Sequence, residues 1–325
     1  MIQYDKRKII KVGEKSYAVT LPKKWILDLK LNTGSTVDLI YDGRVITIKP
    51  PIPSQTKPDT SFYYLMLDLT RGHERLAREV TVAYIEGIKS IRIVGNKSKV
   101  NEVIRELQSK LVGVVTVENK LYDRETSIIF LDADLDIRSV IIRIASFICE
   151  ILDHILEYIN TQKEDYLGRI KALIGDVERL YYLGLRLCKG KVASSIGEET
   201  LNIVDHMLYL KNVKYLLGTI EKLMLIVRGQ YGKLPEKVKK RYIYSKKVVL
   251  DSLKAYIEND IGLALNTFKV KGEIAKEFQE GESLLHSIIN HLMEIALEIS
   301  EITVAKCIRD KACRIKYIVP RKEAT

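Results

Sequence analysis

The sequence predicts a multidomain chain in three parts: a small β-rich N-terminal unit, an α+β middle layer and a long all-α C-terminal half. Three observations carry this reading. Four of the seven prolines fall in PPIPSQTKPDT, residues 50–60. Such a run can neither sit inside a sheet nor continue a helix, so it reads as an extended linker. Apolar residues alternate ahead of it, mix strand and helix spacing just after it, and recur every three to four positions from about Ile137 onward. Charge divides at the same places: net +5 over residues 1–60, −1 over 61–136 and +7 over the remainder. The predicted parts are therefore 1–50, a linker 51–60, 61–136, 137–311 and a basic tail 312–325.

Of the 325 residues, 46% are hydrophobic and 29% charged, which excludes a disordered or collagen-like chain. The net charge of +11 favours a polyanionic partner. Cys149, Cys188, Cys307 and Cys313 form no CxxC pair and are too sparse for a disulfide scaffold. No apolar run is long enough to span a bilayer, and MIQYDKRKII lacks the apolar core of a signal peptide. The expectation is a cytoplasmic protein without membrane insertion.

In the first fifty residues, RKIIKVG and SYAVTL have strand composition, with a turn at Gly13-Glu14-Lys15 between them. Pro22 opens a short helix, 23–29, and TVDLIY and RVITIK form a hairpin about Asp42-Gly43. Four short strands and one helix bury little surface alone and leave open edges, so interleaving two copies is expected, giving a homodimer. Within residues 1–30, eight basic side chains face three acidic ones.

Residues 5–50 strongly resemble the AbrB/SpoVT/MazE swapped-hairpin family. The features are the Gly after the first strand, the Ser-Tyr-Ala-Val-Thr-Leu-Pro run, the helical Trp25 and Leu-x-x-Gly-Ser-x-Val before the third strand. The resemblance implies a swapped-hairpin β-barrel that binds double-stranded DNA through the first hairpin and the start of the helix. It singles out Arg7, Lys8, Lys11, Lys15, Lys23 and Lys24. The set is mostly lysine, whose point charge suits phosphate better than bidentate guanine contact, so recognition leans on DNA shape. Trp25, among Ile26, Leu27 and Leu29, reads as core.

In the middle segment, SFYYLMLDL and IKSIRIVG read as strands, with a helix over 72–86 between them; a second helix, 97–110, precedes strands VVTVENK and TSIIFLD. This order describes a sheet with helices on one side. Neither strand–helix junction is a phosphate loop, and His73 reads as a residue heading a helix.

In the C-terminal half, the stripe from Ile141 through Ile144, Ile148, Leu152 and Ile155 to Ile159 keeps helical spacing, as does Leu285 through Ile288, Leu292, Ile295 and Ile299 to Ile302. Six helices are predicted, near 138–160, 164–189, 198–228, 235–258, 260–279 and 282–311, with Gly190, Gly197, Gly229, Gly232, Pro235 and Gly281 marking breaks. A weak match between residues 174–181 and 271–278 suggests two tandem three-helix bundles, about 137–230 and 233–311.

GDVERLYYLGLR (175–186) and ENDIGLALNTF (258–268) look like the starts of the two bundles of the PhoU family of phosphate-uptake regulators. With the AbrB-like start, the whole resembles an archaeal type of phosphate-uptake regulator. That resemblance implies transcription regulation and phosphate-transport components as partners. It also implies a metal in the helical domain, such as iron, zinc or magnesium, with Asp176 and Glu178 at the first carboxylate motif. The other acidic positions are gone: Ala275 stands opposite Glu178 in the repeat, and residues 214–218 and 293–297 lack the usual acids. Two further rows, Glu150-Asp153-His154-Glu157 and His291-Glu294-Glu298-Glu301, fit either a ligand face or a solvated helix face. The basic run 233–241 and the tail fit either an anionic partner or solvent. No nucleophile–base pair or nucleotide loop occurs, so the chain is expected not to be an enzyme.

Overall fold

A computed structural model of the chain describes residues 5–41, 46–49, 72–118, 125–192, 195, 197–229, 234–277 and 284–310. The chain divides into two compact units, Met1–Thr60 and Ser61–Thr325. The linker 51–60, the expected strand SFYYLMLDL, the Asp42-Gly43 turn and the tail 312–325 lie outside the described residues.

In the N-terminal unit, β1 (Ile9–Val12) pairs antiparallel with β2 (Ser16–Val19), in the register Ile9↔Val19 to Val12↔Ser16. Gly13, at φ 72°, makes the tight turn between them. Then comes α1 (Lys23–Asp28), entered through Pro22 at φ −59°, followed by β3 (Asp38–Tyr41) paired with β4 (Ile46–Lys49). The expected helix over 23–29 stops one residue early because Leu29 is its cap. Beyond it, Lys30 turns left-handed, at φ 55°. The Leu31 amide then donates to the Ile26 carbonyl and the Lys30 amide to that of Leu27. This is a Schellman ending, built on lysine where glycine is the usual residue.

One copy of the chain forms two separate two-stranded sheets and no closed barrel among the described residues. The reason lies in what remains exposed. Ile9, Tyr17, Leu39, Tyr41 and Ile46 are all about 70% exposed, and Leu31 is the one buried hydrophobic among the described residues of the unit. Leu39 and Tyr41 stand opposite Ile48 and Ile46, so one face of the second hairpin is apolar, with Leu39, Tyr41 and Ile46 open and Ile48 half-buried. Trp25, expected in the core, is only half-buried.

The C-terminal unit begins with an α+β layer. Helices α2 (His73–Ile85) and α3 (Lys97–Lys110) pack on one face of a sheet ordered β5 (Ser90–Val94), β7 (Glu125–Phe130), β6 (Val114–Glu118), with β7 antiparallel to both neighbours. The alternation is direct: Ile91, Ile93, Ile128 and Phe130 point into the core with Leu76, Val80, Val103 and Leu107 of the helices, as expected from the period of two. Asn96 caps α3 by accepting the Ser98 amide at 3.0 Å.

Six helices follow: α4 (Ile137–Thr161), α5 (Asp165–Val192), α6 (Glu198–Gly229), α7 (Glu236–Glu258), α8 (Ile261–Glu277) and α9 (Leu284–Arg309). They match the predicted set within a few residues. Asp136 caps α4 through the Ser139 amide, and α4 and α7 each end on a left-handed residue, Gln162 and Asn259. Gly190, expected to break a helix, lies inside α5, which continues two residues further. Both predicted stripes are buried. The expected separation into two bundles does not extend to the core, because one contiguous cluster of buried side chains joins α4–α6 to α7 and α9. Tyr242 of α7 donates to the Leu152 carbonyl of α4 at 2.8 Å, tying the two halves together.

Candidate nucleic-acid interface and buried polar sites

The six residues singled out for DNA contact sit on three consecutive pieces of the N-terminal unit. Arg7 and Lys8 precede β1, Lys11 lies within it and Lys15 is in its turn. Lys23 and Lys24 form the first turn of α1. All six are exposed. Lys11 stands directly across from Tyr17, on the opposite face from Ile10 and Val12. The five lysines form no ion pair among the described residues, whereas Arg7 binds Asp5 at 2.6 Å. Both partners of that pair are exposed, so it is worth about 0–1 kcal/mol and a phosphate can displace it. Five solvated ammonium groups that form no ion pair among the described residues are what a polyanion neutralises, with release of its own counterions.

The carboxylates expected to be metal ligands do not converge. Positions two apart on a helix do not share a face, and here they take different partners. Glu178 pairs with Lys214 of α6, and Asp176 lies 3.8 Å from Arg179. Lys214 is held above the ordinary lysine range: burial opposes this, but the hydrogen bond and charge of Glu178 outweigh it. Asp153 pairs with Lys246, and His291 lies 3.4 Å from Glu294. Among the described residues no group of three or more His, Cys, Asp or Glu side chains is placed to hold a metal ion. His73 does begin a helix, with its Nδ1 3.4 Å from Glu106.

Two buried polar arrangements escaped the sequence reading. In the first, Arg186 of α5 enters the α+β layer. It donates to the Tyr84 carbonyl at 2.6 Å and the Ile88 carbonyl at 3.0 Å, and approaches Asp132 at 3.4 Å. Its guanidinium lies 4.8 Å from the Tyr84 ring centroid and 5.8 Å from that of Phe130. The cation thus closes the C-terminus of α2, where the helix dipole favours it.

In the second, at one end of the helices, buried Asp205 of α6 pairs with Arg309 of α9. Beside it, His206 Nδ1 lies 2.8 Å from the Tyr256 hydroxyl, and Tyr256 stacks on Tyr209 at 4.3 Å. Burial, helped by the charges of Lys306 and Lys191, pushes His206 down to about 4, so its imidazole is neutral at ordinary pH. Burial also lowers Lys306, whose ammonium lies 5.2 Å from the Tyr256 ring centroid. One signal was available for these residues: Arg186 and Asp205 occupy positions that helical spacing assigns to the apolar face.

No helix among the described residues is long and apolar enough to cross a membrane. In comparisons with known proteins, residues 10–56 match a family model described as "Antidote-toxin recognition MazE, bacterial antitoxin". The chain matches no curated protein and no solved structure. That match ends ahead of the α+β layer and the helices, so what is shown is similarity of the N-terminal unit to MazE/AbrB-like domains.

Proposed function

We propose that the chain is a DNA-binding transcriptional regulator and not an enzyme. Two copies interleave their N-terminal hairpins into one barrel, and the helical half receives the signal. The observation that carries the reading is the pairing of two features in one small unit: apolar hairpin faces that a single copy leaves open, and five exposed lysines without ion-pair partners among the described residues. Dimerisation covers the first and doubles the second, giving a two-fold array that can straddle a duplex. The finer reading is that the signal is phosphate and that phosphate-transport components are the partners. It rests on the PhoU resemblance of residues 175–186 and 258–268.

The test is a fluorescence-anisotropy titration of labelled duplex at several salt concentrations, comparing the full chain with Lys23→Ala/Lys24→Ala. Every phosphate that a lysine no longer neutralises lowers the steepness of log K against log salt by about 0.9. The double variant takes two ammonium groups from each copy, so in a two-fold dimer up to about four phosphates go unneutralised and most of the affinity is expected to go with them. Binding that is absent, or indifferent to the substitution, would refute the proposal. The open hairpin faces alone would then favour a second reading, in which the unit only dimerises a signalling adaptor.

A further inference from the structure

Helix α6 is apolar around most of its circumference, and a helix of that kind is normally enclosed. Here one face is not. Every third and fourth position from Leu201 to Leu225 is open or half-open, including Val204, Leu208 and Tyr215, and Leu225 is 72% exposed. The spacing 3-4-3-4 holds without a break from Leu201 to Leu225. That is the 3.5-residue spacing of a coiled-coil seam, here with apolar side chains at five of the eight positions and Lys211, Gly218 and Lys222 at the others. Beside the first half of the seam runs an apolar groove of about 530 Å³, walled on its far side by Val82 and Ile85 of α2.

We propose that this seam is a second interface between two copies of the chain, with α6 packing antiparallel against α6 of its mate about a two-fold axis near position 213. Orientation follows from charge. Glu198 and Glu199 lie in the first turn of the helix and Arg228 in its last, while the adjacent Glu221 and Lys222 offset one another. Antiparallel packing sets the acidic start of one helix beside the basic end of the other, and parallel packing would set like beside like.

Register follows from the repeat. In an antiparallel pair the two alternating seam positions face each other, and one alignment uses the whole seam. Leu201 meets the partner's Leu225, and Val204 meets the stem of the partner's Lys222. Leu208 meets the partner's Gly218, and Lys211 meets the partner's Tyr215. Each match is chemically sensible. Nothing lies within 4 Å of where a Cβ on Gly218 would stand, so the leucine opposite has room. Lys211 already lies 5.1 Å from the ring centroid of its own Tyr215 and gains a second aromatic face. Long lysine stems cover apolar surface while their ammonium groups stay in water. A dimer held at its N-terminal unit also raises the local concentration of the second α6.

The test is disulfide trapping in the full chain. Leu208 and Gly218 are ten positions, about 15 Å, apart on one helix. Cysteines there cannot bond within a copy, because a disulfide needs Cα atoms about 4.4–6.8 Å apart. Leu208→Cys/Gly218→Cys and Leu201→Cys/Leu225→Cys are expected to run as covalent dimers after mild oxidation. Leu208→Cys/Leu225→Cys, one heptad out of register, is expected to link no faster than the unsubstituted chain. Light scattering on the reduced samples separates the two interfaces. A dimer that fails to link, or links equally out of register, overturns the α6 seam alone. A monomer overturns the seam and the N-terminal dimer together.

Discussion

Replacing Arg186 with methionine tests whether one buried cation joins the α+β layer to the helices. Methionine keeps most of the stem volume but leaves two buried carbonyls, of Tyr84 and Ile88, without the guanidinium donor. A hydrogen bond from a charged donor contributes about 1.5–3 kcal/mol. The Tyr84 and Phe130 rings add about 1 kcal/mol of cation–π attraction. Asp132 adds little, because its side chain is 67% exposed and the contact is 3.4 Å. Against this, burying a guanidinium carries a desolvation cost that methionine avoids. The net loss expected is about 3 kcal/mol.

A two-unit chain need not unfold in one step, so the assay is hydrogen exchange. Amides of the α2 C-terminus and β5 should exchange roughly 100-fold faster, since about 1.4 kcal/mol is a factor of ten. Those of α9 should be unaffected. Arg186→Lys should restore only part of the loss: an ammonium can donate to both carbonyls, but it has no second nitrogen for Asp132 and no planar face to lie against the Tyr84 and Phe130 rings. Unchanged exchange in Arg186→Met, or full rescue by lysine, would refute this role for the junction.

Two further outcomes follow from backbone and burial. Lys30 holds a left-handed φ of 55° at the end of α1. Lys30→Gly should therefore stabilise the N-terminal unit by about 0.5–1 kcal/mol, the relief of strain exceeding the entropy cost of glycine. Trp25, the chain's one tryptophan, lies in α1, so its fluorescence during urea unfolding reports on this unit; an unchanged or lowered midpoint would count against the Schellman reading. His206 is held to about 4 in the folded chain, below the ordinary 6.5. As pH falls below about 6.5 the unfolded chain takes up this proton first, so stability drops toward pH 4, losing about 2 kcal/mol by pH 5. Thermal melts between pH 7.5 and 5 should show a smaller decline in His206→Gln, and equal declines would place the titration elsewhere.

How much is legible in the sequence depends on the range of the interaction. Periodicity locates all six long helices, because a helix's buried stripe is written locally at spacing 3.6. The stripe from Ile141 to Ile159 is buried along its length. The pairing of β3 with β4 and the helix after Pro22 are legible for the same reason, since turn chemistry and proline geometry act over four or five residues. Gly190 does not end α5, because one glycine costs a helix only about 1 kcal/mol, which packing outweighs. The exposed lysines are legible as a charge cluster, but only the folded structure shows that Arg7 is tied to Asp5 while the lysines are not.

The long-range pairings are not legible. Nothing near Glu178 in sequence announces Lys214, thirty-six positions away, yet that ion pair occupies a carboxylate assigned to a metal. Arg186 finds its carbonyls about a hundred positions earlier, and Asp205 its arginine about a hundred later. Sequence spacing tells which groups share a face of one helix. Only packing decides which face of another helix they meet, and so whether a carboxylate becomes a ligand, a counter-ion or a buried acid. The sequence by itself determined the elements, the division near residue 60 and the basic N-terminal surface. Tertiary structure decided the partners of the buried charges, the single core that joins the long helices and the seam of α6 that one copy leaves open.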